Sequence, residues 1–347
     1  MIKALNLENA GGMALQETLE HPAFIRKITG IDPFERPTEA MLAAAKALGF
    51  DWMFGVPKRA VKFAEGEGKK TLGGGHYVTE WGFSGSHWSE HEGFDDIEKA
   101  LEYDPFDGDE SGGAVRARAK SAVAGVEADQ AACGDLAVVT GLYYTTLFQW
   151  PIMAFGWETF LAAAASEPER FAVLLGSFAR ASRIYAEEYA ASKIPFFFCH
   201  DDLAMTRGLV FAPEWYRKNI FPWYEYILDP VFASGKKAVF VSDGNYAELL
   251  DDLFAAGFSG VMVDWTFDLA RLIRKYGDKK LVAGNADTMV LTFGTPDDVR
   301  KEVRRCADAA RGAPGYVMKC SNDLPQNILL ENIEAYFDEI AEQRARG

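Results

Sequence analysis

Residues 194–216 read IPFFFCHDDLAMTRGLVFAPEWY, and the break between the apolar run and the polar triplet decides the fold. The run FFFC after Pro195 can be buried as a strand on both faces, whereas His200, Asp201 and Asp202 cannot follow it into a core without partners. The triplet therefore belongs where a strand emerges.

The same grammar repeats downstream. AVFVSD ends at Asp243 ahead of YAELLDDLFAAG, GVMVDW ends at Trp265 ahead of DLARLIRKYG, and LVAGN ends at Asn285 ahead of a helix started by TPDDV at Thr295. GYVMK gives way at Cys320 before a last helix from Glu331. Five successive units of apolar strand and amphipathic helix predict a parallel sheet covered by helices.

Upstream the pattern is looser. LAVVTGLYYTTLFQW, from Leu136, opens as a strand and a long helical pattern over Phe171 to Ala191 follows it. A helix is expected from Val115 to Ala132, and an Ala-rich one from an N-cap at Thr38 to Gly49, feeding a strand from Asp51. Residues 12–30 have helical spacing, with Pro22 as a break. The glycines of GKKTLGGGHYVTEWGFSGSHW fit a hairpin, because no GK[ST] or GxGxxG follows a strand there. Strand ends near Asp51, Glu80 and Thr140 bring the count close to eight, and no phosphate-binding glycine turn favours an open doubly wound sheet. The expected fold is α/β, a TIM-type eight-stranded (β/α) barrel spanning residues 1–347 as one domain. Residues 1–50 are expected to be an N-terminal extension, helical and followed by the hairpin.

Of the 347 residues, 49% are hydrophobic and 25% charged, and the formal net charge is −15. That balance argues against a nucleic-acid partner, which needs clustered Lys and Arg. No stretch approaches the roughly 18 apolar residues of a membrane span, and the N-terminus lacks a signal-like pattern. Cysteines at 133, 199, 306 and 320 form no CxxC pair, so a disulfide framework is not expected. A cytoplasmic, soluble protein, monomeric or homodimeric, is the expectation.

In a barrel the residues just past each strand share one mouth. Here they are Asp51, Glu80, His200, Asp201, Asp202, Asp243, Asn245, Asp264, Asn285, Asp287, Cys320, Asn322 and Asp323. Any one Asp or Asn can equally be a turn former or N-cap. His200 is a poor cap and stands out. Clustered carboxylates need a cation, a metal or raised pKa values, and His, Asp and Cys together can bind a metal or supply a tuned acid. Aromatic residues make up 13% of the chain, and those at loop positions, such as Trp81, Tyr143, Phe155 and Trp157, suit a pocket for a flat substrate as well as they suit a core.

Four stretches, HDDLAMTRGLVFAPEWYRKNIFPWY, VSDGNYAELLDDLFAAGFSGVMVD, YGDKKLVAGNADTMVLTFGTPDDVRKEV and GYVMKCSNDLPQNILLENIEAY, resemble the uroporphyrinogen decarboxylase superfamily, which includes cobalamin-dependent methyltransferases. The resemblance covers residues 135–345 and implies the barrel. Porphyrin decarboxylases carry an Arg-containing PxWxMRQAGR-like run, absent here, so decarboxylation stands second. The zinc-thiol methyltransferases carry an HxC pair where this chain has Val241, Ser242 and Asp243. What remains resembles methyltransferases that demethylate methoxylated aromatics, passing the methyl group to cobalamin on a separate corrinoid protein. Methanol, methylamine or methylthiol are alternative donors. The resemblance implies catalysis by His200, Asp202 and Asp243. It implies binding of substrate or corrinoid by Glu80, Trp81, Tyr143, Phe155, Asp201, Asn245, Asn285, Asp287 and Asn322. A zinc ion, if used, would fall to His200, Asp243 and Cys320.

Overall fold

The computed structural model describes residues 1–9, 12–61, 69–73, 76–80, 83, 87–91, 96–134, 138–139 and 143–346, without the side chains of 69–73, 76–80, 87–91, 138–139 and 143–144. Its centre is a seven-stranded sheet in the order Ala14–Leu15, Tyr316–Met318, Leu281–Ala283, Gly260–Met262, Lys237–Val241, Phe196–His200, Tyr143–Thr145. Every pairing in it is parallel. Parallel neighbours need crossovers, and the helices Pro168–Ala191, Phe221–Ala233, Leu250–Ala255, Leu269–Tyr276 and Pro296–Ala309 provide them.

From Tyr143 to Met318 the strands lie side by side in chain order, and Tyr316–Met318 pairs with the chain's first strand, Ala14–Leu15, as in a barrel wall. Trp52–Met53 pairs in parallel with Val138–Val139 as a separate two-stranded sheet, tied to the first strand by one bridge, Gln16 to Trp52. Among the described residues the ring is thus not drawn as one closed sheet. Ala14–Leu15 lies within residues 1–50, so the expected N-terminal extension supplies a strand of the main sheet. Pro22 does not break a helix; it begins one, Pro22–Thr29, with His21 accepting a bond from Phe24 N. Pro37 likewise opens Pro37–Leu48, displacing the expected cap at Thr38, whose hydroxyl donates to Pro57 O. In both cases the fixed φ of proline suits the first helical turn. The expected hairpin is present as Lys69–Gly73 against His76–Glu80, with His87–His91 as a third antiparallel strand. The expected helix over 115–132 is Gly113–Cys133.

Alternation along the strands separates two buried layers. Phe196, Phe198, Val239, Val241, Met262, Leu281, Ala283, Val317, Ala14 and Trp52 form the inner one. Phe197, Cys199, Phe240, Val261, Val282 and Met318 pack outward into the larger core with the helices. The N-terminal helix Ile2–Leu5 adds Ala4 and Leu5 to the inner layer, at the starting end of the strands, where Lys237 Nζ donates to Leu5 O. No described helix is long and apolar enough to cross a membrane.

Trp52 stacks on Phe198 at 4.8 Å between ring centroids, and both are fully buried. Phe198→Ala should therefore cost about 3–5 kcal/mol in urea unfolding, whereas Val173→Ala, at a site 70% exposed, should stay within about 0.5 kcal/mol.

Candidate active site

The triplet at the end of Phe196–His200 is divided by strand parity. His200 continues the inward series of Phe196 and Phe198, while Asp201 continues the outward series of Phe197 and Cys199. His200 Nε2 pairs with Asp202 Oδ1 at 3.1 Å, and the same oxygen accepts the backbone N–H of Asp243 at 2.9 Å. Ser242 accepts the N–H of Leu203 and donates to Asp243 O, joining the ends of two neighbouring strands. Gly244 follows with φ +72°, and a Cβ there would meet the carbonyl oxygens of Ala204 and Met205 at 2.6 Å, so only glycine fits this crossing.

Asp201 is fully buried. It accepts N–H bonds from Leu147 at 2.9 Å and Gln149 at 2.8 Å, and the Tyr224 hydroxyl at 2.7 Å. Burial pushes its carboxyl up to about 6, against the pull of those donors toward the ionised form. Its place is behind the mouth, holding the loop after Tyr143–Thr145 to the strand end.

The inward groups are coupled. Burial alone would lower the His200 pKa, but attraction to Asp202, with help from Asp201 and Asp243, raises it above the usual imidazole range. Asp202, although burial opposes it, is held below the usual carboxylate range by His200. Asp243 has one side open to solvent, while the protein around it and the charge of Asp202 push its carboxyl up to about 6. A low carboxylate and a high one side by side are the arrangement by which one site holds both base and acid.

A cavity of about 330 Å³ opens here, lined by Gln149, Trp157, Ala204, Met205, Thr206 and Gly244 together with Asp202, Asp243 and Asp264. Asp264 accepts the backbone N–H groups of Gly244 and Thr266.

Other expected site residues have structural partners. Asn245 caps its own loop and reaches Thr266 O. Asn285 is fully buried and donates to the carbonyls of Asp264 and Phe267, steadying the Asp264 loop. Asp287 is the N-cap of Thr288–Phe293, and Asn322 accepts from Asp323 N. Phe155 is fully buried near Tyr103 and Phe160, in the core and not at the mouth. Cys320 lies on the outward side, where its thiol and N–H donate to Glu17. It therefore does not join His200 and Asp243, and among the described residues no three His, Cys, Asp or Glu side chains group as metal ligands. His200, Asp243 and Cys320 thus do not form one donor set for zinc. Glu80 ends a strand of the antiparallel sheet and Tyr143 pairs with Phe198, but both side chains, and all of Trp81, lie outside the described residues.

Sequence reasoning missed Gln149, Lys319 and Glu17. Lys319 follows Val317 on the inward parity, a signal that was available; its buried ammonium donates to the carbonyls of Cys320 and Asn322. Gln149 carried no signal, because only the fold of its loop brings it to the mouth.

The family model for uroporphyrinogen decarboxylase (URO-D) matches residues 151–343. The chain belongs to the uroporphyrinogen decarboxylase family. The uroporphyrinogen decarboxylase of Streptomyces avermitilis is 30% identical over 135 residues, 39% of this chain and 38% of that one. That of Alcanivorax borkumensis is 25% identical over 140 residues, 40% and 39% of the two chains. The matched part thus spans about two-fifths of those relatives' length. A methyltransferase from Methanosarcina mazei shares the fold, with TM-score 0.65 over 98% of this chain and 96% of that one, at 16% identity. Among the described residues, the lining of the mouth contains no Lys or Arg.

The two aspartates of the triplet should separate experimentally. Asp201→Ala leaves two N–H groups and a tyrosine hydroxyl unpaired in the interior, and urea unfolding should show a loss of about 3 kcal/mol or more. Asp202→Ala should instead lower the His200 pKa in an NMR titration, because burial is then less opposed.

Proposed function

We propose that this protein is a methyltransferase that removes the methyl group of a methoxylated aromatic and delivers it to cobalamin on a separate corrinoid protein. The observation that carries the reading is Asp243, a carboxyl raised to about 6 beside the His200–Asp202 pair, at the edge of a small cavity. An aryl ether leaves poorly unless its oxygen is protonated as the bond to carbon breaks. Asp243 holds that proton up to about pH 6, because burial and the neighbouring Asp202, kept ionised by His200, oppose its ionisation. When the C–O bond breaks, the electron pair stays on oxygen, which takes the proton and departs as the phenol. Asp243 regains a proton through its solvent side. Trp157 and Met205 offer apolar surface for the ring.

The reduced corrinoid supplies the nucleophile that takes the methyl group. A volume of 330 Å³ suits a ring with a few substituents and not a corrinoid, so the carrier protein must present it at the opening. The likeness of fold to a methyltransferase supports the reading, as does reading the parallel sheet as the wall of an eight-stranded barrel whose mouth this is. Four buried cysteines, all free, suit the cytoplasm. Decarboxylation of a tetrapyrrole with many carboxylates is the weaker reading, because the cavity is too small and its described lining offers acids and no guanidinium to receive them.

The test is to incubate the protein with reduced cobalamin and a panel of methoxylated aromatics, following methylcobalamin by absorbance and the phenol by mass spectrometry. Transfer only when corrinoid is present is expected. Release of carbon dioxide from uroporphyrinogen without corrinoid would overturn the proposal. With an active donor, kcat/KM should fall as pH rises above about 6, where Asp243 loses its proton, and Asp243→Asn should lower it at least about a hundredfold and remove that limb. His200→Ala should lower turnover by a similar factor.

A further inference from the structure

The ionisable lining of the mouth is all acidic. Among the described residues that border it, Asp202, Asp243 and Asp264 supply carboxylates, Gln149 an amide, and none is basic. His200 balances Asp202. Lys319 acts on Asp243 from within the protein, its ammonium already bonded to two carbonyls. Arg207, at the tip of the antiparallel pair Ala204–Met205 and Gly208–Leu209, is exposed and outside the lining. The cavity is left with more carboxylate than the surrounding side chains neutralise.

Gln149 gives an independent sign of a ligand. Its residue is 1% exposed, yet among the described residues its Oε1 has no hydrogen-bond partner. Asp201 fixes the backbone N–H of Gln149 at the start of the helix Gln149–Phe155, which sets its side chain at the cavity. A buried acceptor left unpaired is unfavourable, and a donor on a bound ligand would relieve it. Trp157, held edge-on by Phe148 and Phe160, borders the same space, and indole faces attract cations.

We infer that the mouth binds a small organic ammonium ion, with an N–H donated to Gln149 Oε1 and the charge held by Asp264. Resting on the proposed methyl transfer, this makes the methyl donor an aryl methyl ether that carries a protonated amino group. Neutral ethers of the same shape leave the Asp264 carboxylate unmatched and offer Gln149 at most an uncharged donor, which bonds more weakly than an ammonium. Carboxylated ethers are repelled.

Titration calorimetry with the full chain and no corrinoid tests this, using para-methoxybenzylammonium, para-methoxybenzyl alcohol and para-methoxybenzoate. The ammonium should bind at least about tenfold more tightly than the alcohol, with the benzoate weakest, and added salt should narrow the gap. Gln149→Leu should cut the ratio of ammonium to alcohol affinity by about fivefold or more while the melting temperature stays equal or rises, since an unpaired buried oxygen has been removed. Asp264→Asn should reduce the same ratio and serves if Gln149→Leu does not fold. Equal binding of ammonium and alcohol, preference for the benzoate, no binding of any of the three, or an unchanged ratio in both variants would overturn the inference. Because binding is read without turnover, ammonium preference with no methyl transfer would fail the transfer reading alone. Methyl transfer with benzoate preferred would fail this one alone.

Discussion

The carboxylate of Asp201 holds together the parts of the molecule that make the mouth. Its oxygens collect the N–H groups of Leu147 and Gln149 and the hydroxyl of Tyr224, so one strand end, one loop and the helix Phe221–Ala233 meet at a single buried anion. Hydrogen bonds to an ionised group are stronger than neutral ones, and in a dry interior the partners have no alternative in water. This interaction sets Gln149 at the cavity. It also fixes the residue between His200 and Asp202, and with it the direction in which both neighbours point.

Inside the mouth the same low-dielectric surroundings work on charge. His200 and Asp202 stabilise one another's ionised forms, and Asp243, beside Asp202, is driven the other way. The acid is made by its neighbours: an aspartate in water would be ionised well below neutrality. Coupling of this kind depends on distances of a few ångströms, which the bridge from Asp243 N to Asp202 Oδ1 and the glycine crossing at 244 maintain.

Family membership and site chemistry bear on different parts of the protein. The family match over residues 151–343 covers most of the strand and helix units that build the sheet, and the shared fold extends over nearly the whole chain. The cavity itself is lined partly by loops, and loops are where function varies on a constant scaffold. A lining of carboxylates, an amide and an indole therefore says more about what enters this mouth than the family as a whole does.

The chain itself determined the parallel sheet, because runs such as FFFC and AVFV are apolar at every position and can only be strands covered on both faces. It also placed His200, Asp202, Asp243 and Asp264 near strand ends, and it marked the helix start at Thr295 and the Gly49 stop, all local matters of residue type and spacing. Tertiary structure decided the rest. Which of three consecutive polar residues faces the mouth follows from strand parity and register, and Asp201 and Cys320 fall on the outward side despite their company in sequence. Ala14–Leu15 became a strand only because Val317 and Met318 offered it a parallel edge, and Phe155 went to the core because its neighbours enclose it. Gln149, which most sharply states what the cavity needs, is an unremarked glutamine in sequence, since an unpaired acceptor is a property of everything that surrounds it.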